Sequence, residues 1–215
     1  MSLPTPYYQD DAVTLYHGDC RDILPTLGRF DMLLTDPPYG IGRDGSTRTT
    51  SRHGGRKAYE FRGWDAERPE AATFSMLLGA TDLQIIWGGN YFADLLPPSQ
   101  RWLVWDKGQR IAQSDGELAW TSMEGALRIF TLNRVALMQD GAQHPTQKPL
   151  ALMSWCLGLA SGVTSVVDPF CGVGTTLRAA KDRNIRAVGI EREESYCAIA
   201  KQRLSQNVLD FGGVA

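Results

Sequence analysis

The sequence has no long hydrophobic run, and none of its apolar stretches approaches the roughly 18 residues that a membrane-spanning helix needs. Its first residues also lack the basic and then apolar order of a secretion signal, so we expect a cytoplasmic protein without membrane contact. Cysteine and histidine are scarce: four cysteines lie far apart with no CxxC pair, and three histidines accompany them. These absences argue against a disulfide framework and a zinc site, so we expect reduced thiols and no bound metal.

Neither sign of charge dominates the 215 residues, whose formal net charge is -2. That average conceals a basic segment, residues 41–62, which carries six arginines or lysines against two acids. The segment is rich in Gly, Ser and Thr and has no apolar periodicity, which predicts a mobile loop. Its composition fits contact with the phosphates of a nucleic acid, and a solvated surface loop is the alternative. Its basic residues are Arg43, Arg48, Arg52, Arg56, Lys57 and Arg62.

Short apolar runs alternate with helical patterns along the chain, and no internal repeat or linker interrupts them. This alternation predicts an α/β fold with a mostly parallel, seven-stranded sheet and helices on both faces. We interpret residues 1–215 as a single domain. The predicted strands are 12–19, 30–36, 83–89, 101–107, 125–131, 164–170 and 185–191, and the predicted helices are 69–79, 149–160, 175–183 and 193–206.

Four of the seven predicted strands end at or next to an acidic residue, namely Asp19, Asp36, Asp168 and Glu191. One acid at a strand end is common and usually structural. In open parallel sheets, however, ligands bind beyond the carboxyl ends of the strands. Four acids placed in this way predict the rim of one shared site.

The segment VVDPFCGVGTT predicts a strand that runs through a glycine-rich turn into a helix. Gly172 and Gly174 allow positive φ or close approach of a ligand to the backbone. Thr175 stands where the helix begins, and free N–H groups there favour an anionic group such as a carboxylate. The segment is neither the dinucleotide fingerprint nor a P-loop, because it lacks the third glycine and a GK[ST] sequence. Asp168 suits a ligand amine, and Glu191 at the next strand end suits ribose hydroxyls.

The segment TDPPYG ends another predicted strand with a carboxylate, two prolines and an aromatic residue. An ordinary surface turn is one interpretation, because Asp followed by Pro suits a type I turn. The alternative is an acceptor clamp, in which the Asp36 carboxylate, the Pro37 carbonyl and the Tyr39 ring are presented to a ligand. Pro37 and Pro38 fix φ and would hold such a clamp rigid.

The motifs HGDC, TDPPYG, HPTQKP, DPFCGVGTT and GIEREESYCAIAKQRL follow one another and span nearly the whole chain. With these motifs the chain resembles the S-adenosylmethionine-dependent DNA amino-methyltransferases of the permuted β group, in which DPPY precedes FxGxG. The resemblance implies a Rossmann-like, circularly permuted fold in which the strand ending at Asp168 lies beside the strand ending at Asp36. A cut between the strands that end in Glu191 and Asp19 leaves that neighbourhood intact.

The resemblance also implies how S-adenosyl-L-methionine is held before it leaves as S-adenosyl-L-homocysteine. Asp168 and the glycine turn would hold the methionine part, Glu191 the ribose, and Asp19 the adenine. Thr146 and Lys148 of HPTQKP would help to hold the cofactor carboxylate, with a simple helix entry at Pro149 as the alternative. The expected cofactor-binding set is Asp19, Cys20, Thr146, Lys148, Asp168, Phe170, Gly172, Gly174, Thr175, Glu191 and Arg192.

The family further implies methyl transfer to an exocyclic amine of a base flipped out of double-stranded DNA. Asp36 and the Pro37 carbonyl would accept the amine hydrogens, and the base would stack on Tyr39. Asp36 favours the adenine N6 amine, because enzymes acting on cytosine N4 more often carry Ser there. Cytosine N4 is the alternative, and a catalytically silent DNA-binding relative is a further one. Glutamine and RNA methyltransferases fit less well, because they often begin the clamp with Asn.

Only about a dozen residues, 131–143, stand where larger relatives often carry a target-recognition segment. We therefore expect no sizeable separate recognition domain, and a short recognition sequence or relaxed specificity read by the 41–62 loop or by a second subunit in a homodimer. Nothing in the sequence indicates a partner nuclease. Trp64, Tyr91 and Trp105 are expected to pack in the core or rim, and the glycines of WGGNYF to allow close approach to the site.

Overall fold

The computed structural model describes residues 3–42, 63, 65–108, 114–133 and 147–206. Within these residues nine strands form one sheet, so the prediction of seven strands was wrong. Seven of the nine match the predicted runs but are shorter, and β1 and β6 were not predicted. The strands are β1 (Tyr8–Gln9), β2 (Val13–His17), β3 (Met32–Thr35), β4 (Leu83–Trp87), β5 (Trp102–Asp106), β6 (Gly116–Thr121), β7 (Arg128–Thr131), β8 (Ser165–Asp168) and β9 (Arg186–Glu191).

The four predicted helices are present, and a short additional helix follows β2. Within the described residues they are α1 (Cys20–Ile23), α2 (Ala71–Ala80), α3 (Leu150–Leu157), α4 (Thr175–Lys181) and α5 (Glu194–Leu204). No helix in this part of the chain is long and apolar enough to cross a membrane.

The strand order across the sheet is β1-β2-β9-β8-β3-β4-β6-β5-β7. Five of the eight neighbouring pairs are parallel, so the predicted mostly parallel sheet is confirmed. The antiparallel pairs involve the two strands that the prediction missed. β1 is only two residues long, and β6 opens with Gly and Glu, so neither has the continuous apolar run of a buried strand.

Helices cover both faces of the sheet, as the continuous apolar runs predicted. Leu33 and Leu34 of β3 are both fully buried, and because side chains alternate along a strand they join different clusters. Leu34 lies in the cluster that contains residues of α3, α4 and α5, whereas Leu33 packs with residues of α1 and α2. Burying each leucine contributes about 1.5–3 kcal/mol, which fixes the register of β3 and the position of Asp36 after it.

The four strands β2, β9, β8 and β3 are consecutive in the sheet and mutually parallel. Their carboxyl ends therefore share one edge, which carries Asp19, Glu191, Asp168 and Asp36. β6 runs in the opposite direction, so its beginning reaches the same side as the end of β5, with Trp105 paired to Glu117.

Candidate active site

A cavity of about 420 Å³ opens at this edge of the sheet. All four strand-end acids line it, so the shared rim predicted from the sequence is formed. The other predicted site residues at its wall are Cys20, Pro38, Lys148, Phe170, Gly172, Thr175 and Arg192. The cavity joins the end of β3 to the turn after β8 without an intervening element.

Asp168 is the most deeply buried of the four acids, with 3% of its surface exposed. Its Oδ1 accepts hydrogen bonds from the Thr35 hydroxyl at 2.7 Å and from the Phe170 backbone N–H at 3.2 Å. Burial raises the pKa of Asp168 to about 6, although the hydroxyls of Thr176 and Thr35 oppose the rise. A cationic ligand group would restore the charged form.

The glycine-rich turn between β8 and α4 is held by Glu191. Gly172 has φ +52°, and its N–H donates to Glu191 Oε2 at 2.8 Å, while the Glu193 N–H donates to Oε1 at 2.8 Å. Burial raises the pKa of Glu191 to about 7. Gly174 does not line the cavity: it has φ +77° before α4, and a Cβ there would lie 3.1 Å from Ala200 Cβ of α5. Its role is to shape the turn.

Asp19 caps the first helix as well as lining the cavity. Its carboxylate accepts from the Arg21 backbone N–H at 2.9 Å and pairs with the Arg21 guanidinium at 2.6 Å. Hydrogen bonds from Arg21 lower the pKa of Asp19. Cys20, the first residue of α1, therefore lies at the cavity wall, where its backbone could hydrogen-bond to the edge of a planar ligand.

Asp36 has both carboxylate oxygens occupied by side chains. The Tyr39 hydroxyl donates to Oδ1 at 2.5 Å, and the Lys148 ammonium lies 2.5 Å from Oδ2. Burial raises the pKa of Asp36, and the Lys148 charge opposes that rise. Its side chain is 21% exposed, so the carboxylate remains accessible from the cavity.

The Lys148 ammonium is held by protein groups at the wall of the cavity. Its ammonium contacts Asp36, the Tyr39 hydroxyl at 3.1 Å and Glu117 Oε2 at 3.1 Å. The contacts with Asp36 and the Tyr39 hydroxyl are hydrogen bonds, and the contact with Glu117 is an ion pair. These protein groups neutralise and hold the Lys148 ammonium, and the role expected from the sequence, at the cofactor carboxylate, stays a prediction.

Tyr39 lies beside the cavity and not in its lining. Its ring stacks on Tyr91 with centroids 4.7 Å apart and an interplanar angle of 15°. Gly88, with φ +73°, packs against the same ring, and a Cβ on it would overlap Tyr39 Cζ at 2.6 Å. The glycine of WGGNYF therefore makes room for the clamp tyrosine. Trp105 is 2% exposed, so its expected core position is confirmed.

Two contributors to the site were missed at the sequence level. Asp65 is 2% exposed, and its Oδ1 accepts from the N–H groups of Tyr39 at 2.7 Å and Gly40 at 2.9 Å. Glu117 stands at the start of antiparallel β6. A search for acids at the ends of predicted strands cannot find either residue, because Asp65 lies in a loop and Glu117 begins a strand that was not predicted.

Several predicted site residues lie outside the described residues. They are Thr146, Trp64 and the six basic residues Arg43, Arg48, Arg52, Arg56, Lys57 and Arg62. Among the residues that are described, no cluster of three or more His, Cys, Asp or Glu could hold a metal ion.

A sequence model of the DNA methylase family that comprises N6 and N4 methyltransferases matches residues 95–202. The Type II methyltransferase M.HinfI of Haemophilus influenzae is 42% identical over an alignment of 252 residues, which covers 90% of this chain and 68% of the relative. M.HindIII of Haemophilus influenzae is 38% identical over 87 residues, which cover 40% of this chain and only 28% of the relative.

Two solved structures share the fold across most of the chain. The M1.HpyAVI–SAM complex is 21% identical with a TM-score of 0.60, and the match covers 90% of this chain and 100% of that one. The cytosine-N4-specific PvuII DNA methyltransferase is 13% identical with a TM-score of 0.64, covering 95% and 90%. These likenesses show the α/β methyltransferase fold.

The cavity and its hydrogen-bond acceptors fit S-adenosylmethionine. Its volume lies within the range of pockets for small organic ligands, about 300–1,000 Å³. Buried Asp168 offers a carboxylate to an amine, and each oxygen of Glu191 keeps a lone pair for a hydroxyl beside its backbone donor.

Proposed function

Because the chain belongs to the DNA methylase family of N6 and N4 methyltransferases, we propose that it methylates the N6 amine of an adenine flipped out of double-stranded DNA. The observation that carries this proposal is the position of Asp36 and Asp168 at the ends of adjacent strands β3 and β8, on the wall of one cavity. A methyl donor held at Asp168 and an amine held at Asp36 would meet there.

S-adenosylmethionine, the methyl donor of this family, supplies a methyl group on a positively charged sulfur. Asp168 pairs with its amine, Glu191 accepts its ribose hydroxyls, and Asp19 with the Cys20 backbone meets its adenine. The turn from Phe170 to Thr175 surrounds the methionine part, and the product is S-adenosyl-L-homocysteine. The burial of Asp168 and the backbone contacts of Glu191 support these roles, because both carboxylates are preorganised.

The acceptor clamp activates an amine that is a poor nucleophile, since its lone pair is delocalised into the base. The Asp36 carboxylate and the Pro37 carbonyl accept the two amine hydrogens, which draws the nitrogen toward sp³ character and aims its lone pair at the methyl group. Pro37 and Pro38 fix the acceptors in advance. Alignment of this kind is worth about 7–11 kcal/mol. The proton leaves after nitrogen becomes positively charged, so Asp36 orients the amine and no strong base is required.

A base inside the duplex cannot reach the cavity and must be flipped out, at a cost of a few kcal/mol. Tyr39 provides an aromatic face near the clamp. The basic segment 41–62 is proposed to hold the flanking phosphates, within a single methyltransferase domain of the permuted β group. A second subunit of a homodimer is the alternative reader of the DNA sequence. Charge supports the role of the segment, because it has six basic residues and only two acids.

The experiment measures methyl transfer from labelled cofactor to duplex DNA, followed by nucleoside analysis of the product. N6-methyladenine is expected, and N4-methylcytosine would establish the alternative. The N4-specific PvuII enzyme has the same fold, so the fold alone does not distinguish the two products. Asp36→Ala should lower the transfer rate by about 10³-fold while leaving cofactor affinity within about threefold, because Asp36 contacts the amine and not the cofactor. A wild-type protein that binds DNA without transferring a methyl group would overturn the proposal.

A further inference from the structure

Four side chains of alternating charge run inward from the acceptor clamp, and we call them the charge ladder. Asp36 Oδ2 lies 2.5 Å from Lys148 Nζ, which lies 3.1 Å from Glu117 Oε2, and Glu117 Oε1 lies 2.6 Å from Lys107 Nζ. Lys148 and Lys107 are almost fully buried, at 4% and 3% side-chain exposure. A buried ammonium is costly unless it is paired and hydrogen-bonded, so each lysine of the charge ladder depends on the carboxylates beside it.

We infer that Lys148, held in place by Glu117, is a positioning residue that keeps the Asp36 carboxylate ionised and correctly rotated for the substrate amine. The inference rests on the proposed function, since it assigns a role within methyl transfer. It differs from the role expected for Lys148 at the cofactor carboxylate. It also gives Glu117 and Lys107 a function, although neither contacts the clamp carboxylate directly.

The contacts of the two Asp36 carboxylate oxygens support this assignment. Lys148 binds Oδ2 alone, while the Tyr39 hydroxyl binds Oδ1. With Oδ2 fixed, the carboxylate cannot rotate freely, and an amine hydrogen can replace the tyrosine hydroxyl on Oδ1. The Lys148 ammonium also donates to the Tyr39 hydroxyl and forms an ion pair with Glu117 Oε2 at 3.1 Å, so three protein groups hold it in place.

The pKa values of the side chains in the charge ladder also support the role of Lys148. Burial alone would lower the pKa of Lys148, but the charges of Asp36 and Glu117 raise it well above its usual range, so the ammonium stays charged. Burial alone would raise the pKa of Glu117, but Lys148 and Lys107 lower it to about 2. For Asp36, burial and the Glu117 charge raise the pKa, whereas Lys148 lowers it.

The titratable groups around Asp36 come from several elements. Tyr39 follows it in the clamp, Lys148 precedes α3, Glu117 begins β6, and Asp168 ends the adjacent strand β8. Of these, only Lys148 favours the ionised form of Asp36 by its charge. Removing Lys148 should therefore raise the pKa of Asp36, and removing the Glu117 charge should lower it.

The test compares Lys148→Met, Lys148→Arg and Glu117→Gln with wild-type protein by single-turnover methyl transfer at saturating cofactor and DNA, across pH. Lys148→Met should reduce the rate by about 10²-fold, with cofactor affinity within about threefold and the acid limb of the profile about one pH unit higher. Lys148→Arg should recover part of the rate. Glu117→Gln should lose less rate and move the acid limb to lower pH.

Lys201→Met, at an exposed lysine of α5, is the matched control and should behave as wild type. If Lys148 instead holds the cofactor carboxylate, Lys148→Met would weaken cofactor binding and leave the acid limb in place, which overturns the inference. Equal, same-direction pH shifts in Lys148→Met and Glu117→Gln would also overturn it. Failure of the wild-type protein to methylate DNA would count against the proposed function itself. If Lys148→Met does not fold, the arginine and glutamine variants still decide the question.

Discussion

At the scale of single residues, Gly88 matters because it has no side chain. Its φ of +73° lies in the left-handed region, and the space of its absent Cβ is filled by the Tyr39 ring. The ring stacks on Tyr91, and its hydroxyl donates to Asp36. A glycine in a loop far along the chain thus sets the orientation of the clamp tyrosine.

Gly88→Ala should displace Tyr39 and lower the rate of methyl transfer by about tenfold or more, with cofactor affinity little changed. Gly162→Ala provides the matched control, because Gly162 has φ +77° but no neighbouring atom within 4 Å of the place that a Cβ would take. Both variants should lose stability by about 1 kcal/mol from the strained backbone. Rates measured beside thermal unfolding separate the two effects, and equal activity in both variants would refute the role of Gly88.

At the scale of elements, the clamp is attached to a neighbouring segment by one buried carboxylate. Asp65 receives the N–H groups of Tyr39 and Gly40, which lie in irregular backbone with no strand partner for these donors. Arg68, three residues later, reaches the Tyr91 carbonyl at 3.0 Å and pairs with Asp94. The segment 65–70 therefore connects the clamp to the turn that carries its stacking partner.

Asp65→Ala should destabilise the protein by about 2 kcal/mol, because two backbone N–H groups lose their acceptor. It should also slow methyl transfer, since the clamp backbone loses its anchor. Asp65→Asn keeps an oxygen that can accept both bonds and should fall between Asp65→Ala and wild type in stability and rate. Denaturant unfolding and single-turnover kinetics provide the measurements, and an asparagine variant as impaired as alanine would contradict this explanation.

Much of this element-level structure was predictable, and the rest has identifiable physical reasons. β3, β8 and β9 were found because strands buried on both faces are continuously apolar, and their terminal acids were correctly grouped in one site. β6 was missed because it opens with Gly and Glu. Consequently Glu117, and with it the ladder that redirects Lys148, could not be placed. Glu117 and Lys148 are 31 positions apart in the chain, and no local sequence pattern encodes a contact at that separation.

At the scale of the whole molecule, the cavity gathers buried acids whose pKa values lie close to neutrality. Burial raises the pKa of Asp168 to about 6 and that of Glu191 to about 7. Both groups hold more protons in the folded than in the unfolded chain between roughly pH 4 and 7. Without ligand, the free energy of unfolding should therefore fall as pH rises through this window.

Cofactor binding should show the opposite trend, because a cationic amine favours ionised Asp168. The dissociation constant should decrease as pH rises from about 5.5 to 8, and binding should release protons. Isothermal titration calorimetry in two buffers of different ionisation enthalpy measures both quantities. A dissociation constant that does not change with pH, together with no proton release, would show that these carboxylates do not carry the proposed contacts.

The hydroxyl of Tyr39 on Asp36 has a consequence for fidelity. In the proposed mechanism, a nucleobase that enters has to displace the Tyr39 hydroxyl from Asp36 Oδ1. Thymine, which presents a carbonyl where adenine and cytosine present an amine, brings no hydrogen to that exchange and would leave two acceptors facing each other. The proposed clamp would therefore disfavour thymine whatever DNA sequence surrounds it.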